Sequence, residues 1–210
     1  KNGDKALIKI SNKIDKTEFK TVTEASFNKS DLKKSYEKLD NATKKNLDFI
    51  KKRIINFHKA IKISDLKTKD GIFNLLGQIH KPIDRIGLYA PGGKAVYPSS
   101  ILMTALVANV AGCKEIHLFF PSSSEKAKVL MLGTAHLAGI TNAYNFGGAH
   151  AIAAMAYGTE TIPKLDKIFG PGNKYVAEAK RQVFGDVGID SFAGPSEVLI
   201  ISDKKKGFEQ

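Results

Sequence analysis

The fold is decided by the stretch Lys167-Ile-Phe-Gly-Pro-Gly-Asn-Lys-Tyr-Val-Ala-Glu-Ala-Lys-Arg181 of this 210-residue chain. Its apolar start predicts the end of a buried strand, and the Gly-Pro-Gly that follows interrupts regular structure. Asn173 stands where a helix N-cap is expected, and apolar residues after it recur on one helical face. A strand, a glycine-rich turn and a helix N-terminus favour a nucleotide phosphate, because the first helical N–H groups lack internal partners. The alternative is an ordinary turn between a strand and a helix.

Three further glycine loops adjoin apolar runs. Ile86-Gly-Leu-Tyr-Ala-Pro-Gly-Gly93 and Ala143-Tyr-Asn-Phe-Gly-Gly148 lead into predicted helices, and Phe192-Ala-Gly-Pro-Ser-Glu197 enters the apolar run Val198–Ile201. Short strands that alternate with helices predict an α/β domain with a largely parallel sheet. Ligands bind at the carboxyl ends of the strands in such sheets. Because the sequence has neither a Gly-x-Gly-x-x-Gly nor a Walker lysine motif, the pattern alone indicates only a nucleotide or phosphate ligand.

The first third of the chain is rich in lysine and is predicted to be mainly helical. Apolar spacing predicts a helix within Gly3–Ile14 and a long amphipathic helix over Ser35–Ile63, with a break near Asp40-Asn41 as an alternative. Short strands are predicted at Thr21–Thr23 and Gly71–Ile79. The composition then changes to glycine and alanine, which indicates a domain boundary close to Arg85.

Charge and cysteine content limit the classes of function. The net charge of +12 comes mostly from scattered lysines, without an arginine-rich block, so a solvated surface is predicted rather than a nucleic-acid partner. The single cysteine, Cys113, fits a reducing compartment and hence the cytoplasm. The longest apolar stretch, Ile101–Ala111, is shorter than the about 20 residues of a membrane span, so no membrane partner is predicted.

Four motifs together resemble those of the histidinol dehydrogenase family in order and spacing. They are Gly87-Leu-Tyr-Ala-Pro-Gly-Gly93, Gly147-Gly-Ala-His-Ala-Ile-Ala-Ala-Met-Ala-Tyr-Gly-Thr-Glu160, Lys167-Ile-Phe-Gly-Pro-Gly-Asn173 and Ala193-Gly-Pro-Ser-Glu-Val198. The resemblance implies an NAD-dependent, zinc-containing homodimer that oxidises L-histidinol through L-histidinal to L-histidine. It also implies a Rossmann-like NAD-binding domain over residues 89–197. This domain would be inserted in a second, here incomplete, Rossmann-like α/β domain, formed by the helices and first strands of residues 1–88 and a return strand in residues 198–210.

The resemblance also assigns roles to individual residues. Tyr89, His150 and Asn173 match positions that contact NAD, and Ser196 matches a position that contacts the substrate. Each has a structural alternative, such as a packed ring for Tyr89, an N-cap for Asn173 and a hydrogen bond within its own loop for Ser196. His150 departs from the glutamine usual in the family, although both side chains can donate and accept a hydrogen bond.

The family's zinc-binding and catalytic residues are expected beyond residue 210. The chain begins without methionine and ends just after a strand-like segment, so we expect it to be a piece of a longer protein. Its five histidines show no metal-ligand spacing, so no catalytic residue and no metal ligand is assigned within it. The chain is therefore expected to be inactive by itself. The alternative is a non-catalytic nucleotide-binding α/β module.

Overall fold

A six-stranded sheet with helices on both faces forms most of the molecule. The computed structural model describes residues 3–72, 74–92, 96–122, 124–192, 194 and 197–199. The helices are α1 (Gly3–Ile14), α2 (Lys29–Glu37), α3 (Asn41–Ala60), α4 (Pro98–Ala111), α5 (Glu125–Leu137), α6 (Gly148–Tyr157) and α7 (Lys174–Val183). The strands are β1 (Ser26–Phe27), β2 (Leu66–Asp70), β3 (Asn74–Gln78), β4 (Arg85–Tyr89), β5 (Glu115–Phe119), β6 (Asn142–Tyr144), β7 (Lys167–Phe169) and β8 (Gly188–Ile189).

The strand order of the large sheet is β1-β6-β5-β4-β7-β8. Strands β4 to β8 pair in parallel, and only the short β1 runs antiparallel, against β6. The chain moves from β4 towards β6 on one side and from β7 to β8 on the other, so the direction of strand addition reverses between β4 and β7. Such a reversal opens a crevice at the carboxyl ends of the strands, where ligands of α/β sheets bind. The predicted α/β fold with a largely parallel sheet is confirmed.

Two hydrophobic clusters cover the two faces of this sheet. Helices α2 to α5 pack on one face through residues such as Leu32, Ile101 and Met131. Helices α1, α6 and α7 pack on the other face through residues such as Leu7 and Met155. The central strand β4 is buried on both faces, which is why its sequence is a nearly continuous apolar run.

The N-terminal third departs from prediction in its details. The long helix is broken at the expected place, because Asp40 caps α3 by accepting a hydrogen bond from the Thr43 N–H at 2.8 Å. The strand predicted at Thr21–Thr23 is wrong, since Val22–Ala25 forms a 3₁₀ turn. The strand predicted at Gly71–Ile79 is shorter, and it pairs as β3 with β2 in an exposed antiparallel hairpin.

The division into two domains stays a prediction. The predicted boundary between Leu88 and Tyr89 falls within β4, a central strand of the sheet. In the predicted return segment, Val198 and Leu199 are exposed and belong to no strand, and residues from 200 onward lie outside the described part of the chain. Within the described ranges, no helix is long and apolar enough to cross a membrane.

One buried histidine in the sheet predicts how stability depends on pH. His117 in β5 is 2% exposed, its Nδ1 lies 3.4 Å from the Tyr144 hydroxyl, and its Nε2 lies 3.4 Å from a carboxylate oxygen of Glu115. Burial lowers the pKa of His117, and Glu115 opposes this shift only in part. The unfolded chain takes up a proton near pH 6.5, whereas the folded ring takes it up only at lower pH. The free energy of unfolding therefore falls as the pH drops below about 6.5.

We expect the Tm to fall between about pH 7.5 and about pH 5.5 more steeply in the wild type than in His117→Gln, which cannot titrate there. Thermal melts across this range measure the slope. The control is His58→Gln, which makes the same replacement at a partly exposed ring on α3, outside the sheet. Equal slopes of Tm against pH for the wild type and His117→Gln would contradict a lowered pKa of His117 in the folded protein.

Candidate functional site

A cavity of about 840 Å³ lies at the carboxyl edge of the large sheet. The segments that follow β4, β5, β6 and β7 all contribute to its wall, as the strand reversal requires. Helix α1 and the residues after it close one side. The lining residues are Ile10, Ile14, Asp15, Thr17, Tyr89, Gly92, Pro121, Ser122, Asn145, Gly148, Ala149, His150, Ala153, Asn173 and Tyr175.

Tyr89 ends β4 and is held against the start of α6. Its ring is 5% exposed, and its hydroxyl oxygen accepts a hydrogen bond from the Gly148 N–H at 3.0 Å. Burial raises the pKa of Tyr89, the Gly148 N–H opposes this rise, and the Asp15 carboxylate adds to it. The hydroxyl therefore keeps its proton, and its O–H remains able to donate to a bound molecule.

The N-terminus of α6 presents backbone donors to the cavity. Gly148 has φ +62, a conformation that glycine adopts readily, and this starts the helix directly after the β6 loop. The Gly148 N–H is used by Tyr89, whereas the N–H groups of Ala149 and His150 have no hydrogen-bond partner within the described residues. Free N–H groups and the helix dipole favour an anion at this place.

His150 connects the two helices that border the cavity. Its side chain is 5% exposed, and its Nε2 lies 3.0 Å from a carboxylate oxygen of Asp15. Asp15 directly follows α1, and His150 lies in the first turn of α6. The pair therefore fixes the position of α1 as a wall of the cavity.

Asn173 is the N-cap of α7, as the sequence predicted. Its Oδ1 accepts hydrogen bonds from the N–H groups of Tyr175 at 3.0 Å and Val176 at 3.1 Å. The side-chain Nδ2 has no hydrogen-bond partner in the described part of the chain, and Asn173 is exposed. The amide can therefore cap the helix and donate to a bound molecule at the same time.

A family model described as histidinol dehydrogenase matches residues 1–209. The chain belongs to the histidinol dehydrogenase family. It is 47% identical over 203 residues to the histidinol dehydrogenase of Neisseria meningitidis serogroup A, an alignment that covers 97% of this chain and 47% of the relative. It is 43% identical over 201 residues to that of Acinetobacter baylyi, which covers 96% of this chain and 47% of the relative.

A solved structure agrees with this assignment. The crystal structure of histidinol dehydrogenase from Elizabethkingia anophelis matches with a TM-score of 0.84 and 37% identity, over 92% of this chain and 44% of that one. The chain thus spans about half the length of the curated relatives it matches.

The three residues matched to NAD contacts in this family lie around one cavity. Tyr89 ends β4, His150 lies in the first turn of α6 and Asn173 caps α7, and all three line the cavity. Ser196, matched to a substrate contact, lies outside the described residues. The four roles stay predictions. Sequence reasoning missed Asp15, because no local motif marks this residue and it lies 135 positions before His150 in the chain.

An ion pair between the buried Lys180 and the partly exposed Asp190 holds the loop that carries Asn173. The Lys180 ammonium donates to the Gly170 carbonyl oxygen at 3.0 Å and also to the Asp190 carboxylate. The other oxygen of Asp190 accepts from the Gly170 N–H at 2.9 Å. Burial raises the pKa of Asp190, but the Lys180 hydrogen bond and the Gly170 and Ser191 N–H groups outweigh this, so that the pKa is lowered overall.

Zinc does not fit the described part of this chain. No three His, Cys, Asp or Glu side chains of residues 3–72, 74–92, 96–122, 124–192, 194 and 197–199 come together as a group that could hold a metal ion. No step is therefore assigned to zinc on these residues.

Proposed function

We propose that this chain supplies the NAD-binding site of an enzyme that oxidises L-histidinol through L-histidinal to L-histidine. The observation that carries the proposal is the single cavity lined by Tyr89, His150 and Asn173 at the reversal point of a parallel sheet. Membership of the histidinol dehydrogenase family supports the substrate, because the relatives bear the name of that activity.

The chemistry of the cavity wall fits a dinucleotide. Its volume lies within the roughly 300–1,000 Å³ range that is usual for sites of small molecules. The free N–H groups at the start of α6 suit the pyrophosphate, and the Tyr89 hydroxyl and the Asn173 amide suit ribose or amide groups. Apolar side chains such as Ile10, Ile14 and Pro121 suit a planar ring.

In the proposed reaction, the residues of this chain bind NAD, orient it and shield it from water. NAD, when bound, supplies the acceptor for the hydride that leaves the alcohol or hydrated aldehyde carbon. Tyr89 at the end of β4 and Asn173 at the start of α7 place their donors on two separate elements and so orient the ligand across the edge of the sheet. Ile10 and Ile14 on α1 cover one side of the cavity and limit access of water.

The zinc-binding and acid–base residues of the enzyme are proposed to lie outside these 210 residues. The resemblance assigns zinc and the acid–base residues to the other half of the family's sequence, so the chain by itself is proposed to bind NAD without oxidising histidinol. We also propose that the whole enzyme is a homodimer and that Ser196 contacts the substrate. The protein is proposed to be cytoplasmic, without nucleic-acid or membrane partners. The family and the single cysteine support the location.

Calorimetric titration of the protein with NAD tests the proposed site. We expect saturable binding with one NAD per chain, and no NADH formation when L-histidinol is then added. Failure to bind NAD at millimolar concentration would overturn the NAD site. Histidinol-dependent NADH formation by this chain would instead overturn the proposal that the catalytic residues lie elsewhere.

Asn173→Ala is expected to weaken NAD binding roughly tenfold, because one amide hydrogen bond to the ligand is lost. It should also lower the free energy of unfolding by about 1 kcal/mol, because the cap of α7 is lost. Calorimetry measures the first effect, and urea unfolding measures the second.

Asn173→Ser is the matched control. Serine keeps the cap of α7 but removes the amide donor, so NAD binding should fall while stability stays near that of the wild type. If Asn173→Ser bound NAD as tightly as the wild type, the Asn173 amide would have no part in the site.

A further inference from the structure

The contact between Asp15 and His150 determines what His150 can offer to a ligand. An ionised carboxylate can only accept hydrogen bonds, so the 3.0 Å contact makes the His150 Nε2–H the donor. In a neutral imidazole, a proton on Nε2 leaves Nδ1 as a pure acceptor. Asp15 thus selects one of the two tautomers of the ring.

The Nδ1 edge of the ring lies beside the cavity. Both Nδ1 and Cε1 are 3.4 Å from the place where a Cβ on Gly148 would stand, and Gly148 lines the cavity. Nδ1 forms no hydrogen bond with any residue in the described ranges, and those ranges contain no buried side-chain nitrogen or oxygen without a partner. The free nitrogen therefore keeps exposed surface, next to Gly148 of the cavity wall.

Among the described residues, the Asp15 carboxylate is hydrogen-bonded to no side chain other than His150, so no second side chain competes for the contact with Nε2. The Asp15 side chain is 24% exposed and lines the cavity. The carboxylate stands at the end of α1, which packs against α6, so its position relative to the ring is fixed by two helices.

We propose that Asp15 is a positioning residue that keeps the Nε2–H of the His150 ring directed at its carboxylate, so that Nδ1 of the neutral ring accepts a hydrogen bond from a donor group of NAD. The donor class is a hydroxyl or amino group, such as a ribose hydroxyl, and not a phosphate oxygen. The inference rests on the proposed NAD site and deepens it, because it assigns His150 to the sugar or base and leaves the phosphates to the N–H groups of α6.

The ring state is measured by nitrogen NMR of the ¹⁵N-histidine-labelled protein, with His150→Gln used to identify the His150 signals. We expect one protonated nitrogen, Nε2, and one acceptor nitrogen, Nδ1, whose shift changes when NAD is added. Asp15→Asn should yield a mixture of both tautomers, because asparagine can donate as well as accept. A wild-type ring protonated on Nδ1 alone, or on both nitrogens, would overturn the proposal.

The contribution to binding is measured by calorimetry with NAD on four proteins: the wild type, Asp15→Asn, His150→Leu and the double variant. Asp15→Asn should weaken binding about five- to tenfold, since the hydrogen bond from the ligand to Nδ1 forms in only part of the molecules. In the His150→Leu background the same change should weaken binding less than about twofold, because leucine has no hydrogen-bonding group for Asp15 to orient.

Equal losses in both backgrounds would show that Asp15 acts on the fold or directly on the ligand, and would overturn the proposal. The proposal would also be overturned if Asp15→Asn bound NAD as tightly as the wild type. If the wild type bound no NAD at all, the NAD site itself would fail, and the NMR spectra without ligand would still decide whether Asp15 sets the tautomer.

Discussion

We expect Gly170→Ala to lower the free energy of unfolding by about 3–5 kcal/mol and to abolish NAD binding. Gly170 has φ +117, a conformation that side chains with a Cβ rarely adopt. A Cβ at this position would also overlap the carbonyl oxygen of Tyr89. That oxygen belongs to the backbone of β4, which pairs with strands on both sides and cannot yield as a side chain could.

The loss of NAD binding follows from the same overlap. Relief of the clash must displace either the end of β4, which carries Tyr89, or the loop that carries Asn173, and both residues line the cavity. Urea unfolding measures the change in stability, and calorimetry with NAD measures the change in binding.

Gly185→Ala is the matched control for the Gly170 experiment. Gly185 has φ +105, so alanine meets a comparable backbone strain, but nothing lies within 4 Å of its Cβ position. It should cost only the strain, about 1–2 kcal/mol, and leave NAD binding unchanged. Equal losses at the two positions would mean that the contact with Tyr89 adds nothing to the strain.

The elements that sequence predicts best are those with their own local pattern. Strand β7 lies at Lys167–Phe169 as expected, and Asn173 caps α7 through its side chain, because an apolar run, a glycine turn and an N-cap residue act within a few positions. The break near Asp40 is of the same kind, since an aspartate cap is a local signal.

The elements that sequence misses depend on distant partners. Strands β1 and β8 have two residues each, too few for any periodicity, and they exist because β6 and β7 offer a free edge. Thr21–Thr23 has the β-branched composition of a strand. The segment nevertheless forms a 3₁₀ turn, because this conformation buries Val22 and Ala25 in the same hydrophobic cluster as Leu7 of α1.

The same distinction holds at the candidate site. The parallel-sheet rule and the four motifs predicted the edge of the sheet and the residues Tyr89, His150 and Asn173, which the structure brings to one cavity. Asp15 could not be predicted, because it follows an unremarkable amphipathic helix and reaches the cavity only through the packing of α1 on α6. Long-range contacts of this type carry no signal in a single sequence.

Lys180→Met is expected to lower the free energy of unfolding by about 1–3 kcal/mol. The Lys180 side chain is 7% exposed and its ammonium is bonded to Gly170 and Asp190, so its removal leaves the Gly170 carbonyl oxygen and the partly exposed Asp190 carboxylate without this donor. Methionine fills a similar volume, so the loss reports the charge rather than a cavity. Urea unfolding of both proteins measures the difference.

Arg181→Met is the control, because it removes the neighbouring cation. Arg181 pairs with Glu178 on the exposed side of α7, where water screens the charges, so its loss should leave stability nearly unchanged. The double variant Lys180→Met with Asp190→Asn should recover part of the loss, since the unpaired charge is gone.

The acid sensitivity of the protein gives an independent test of the Lys180–Asp190 pair. The pKa of Asp190 is lower in the folded protein than the ordinary value of about 3.9, so its contribution to stability is present above about pH 4 and is lost as the pH falls through the folded pKa. In Lys180→Met the largest of the causes that lower the pKa of Asp190 is absent, so that burial, which raises the pKa, is opposed only by the Gly170 and Ser191 N–H groups. This variant should therefore lose stability at higher pH than the wild type during acid titration. Coincident acid-unfolding curves would show that the two backbone N–H groups, and not Lys180, keep Asp190 ionised.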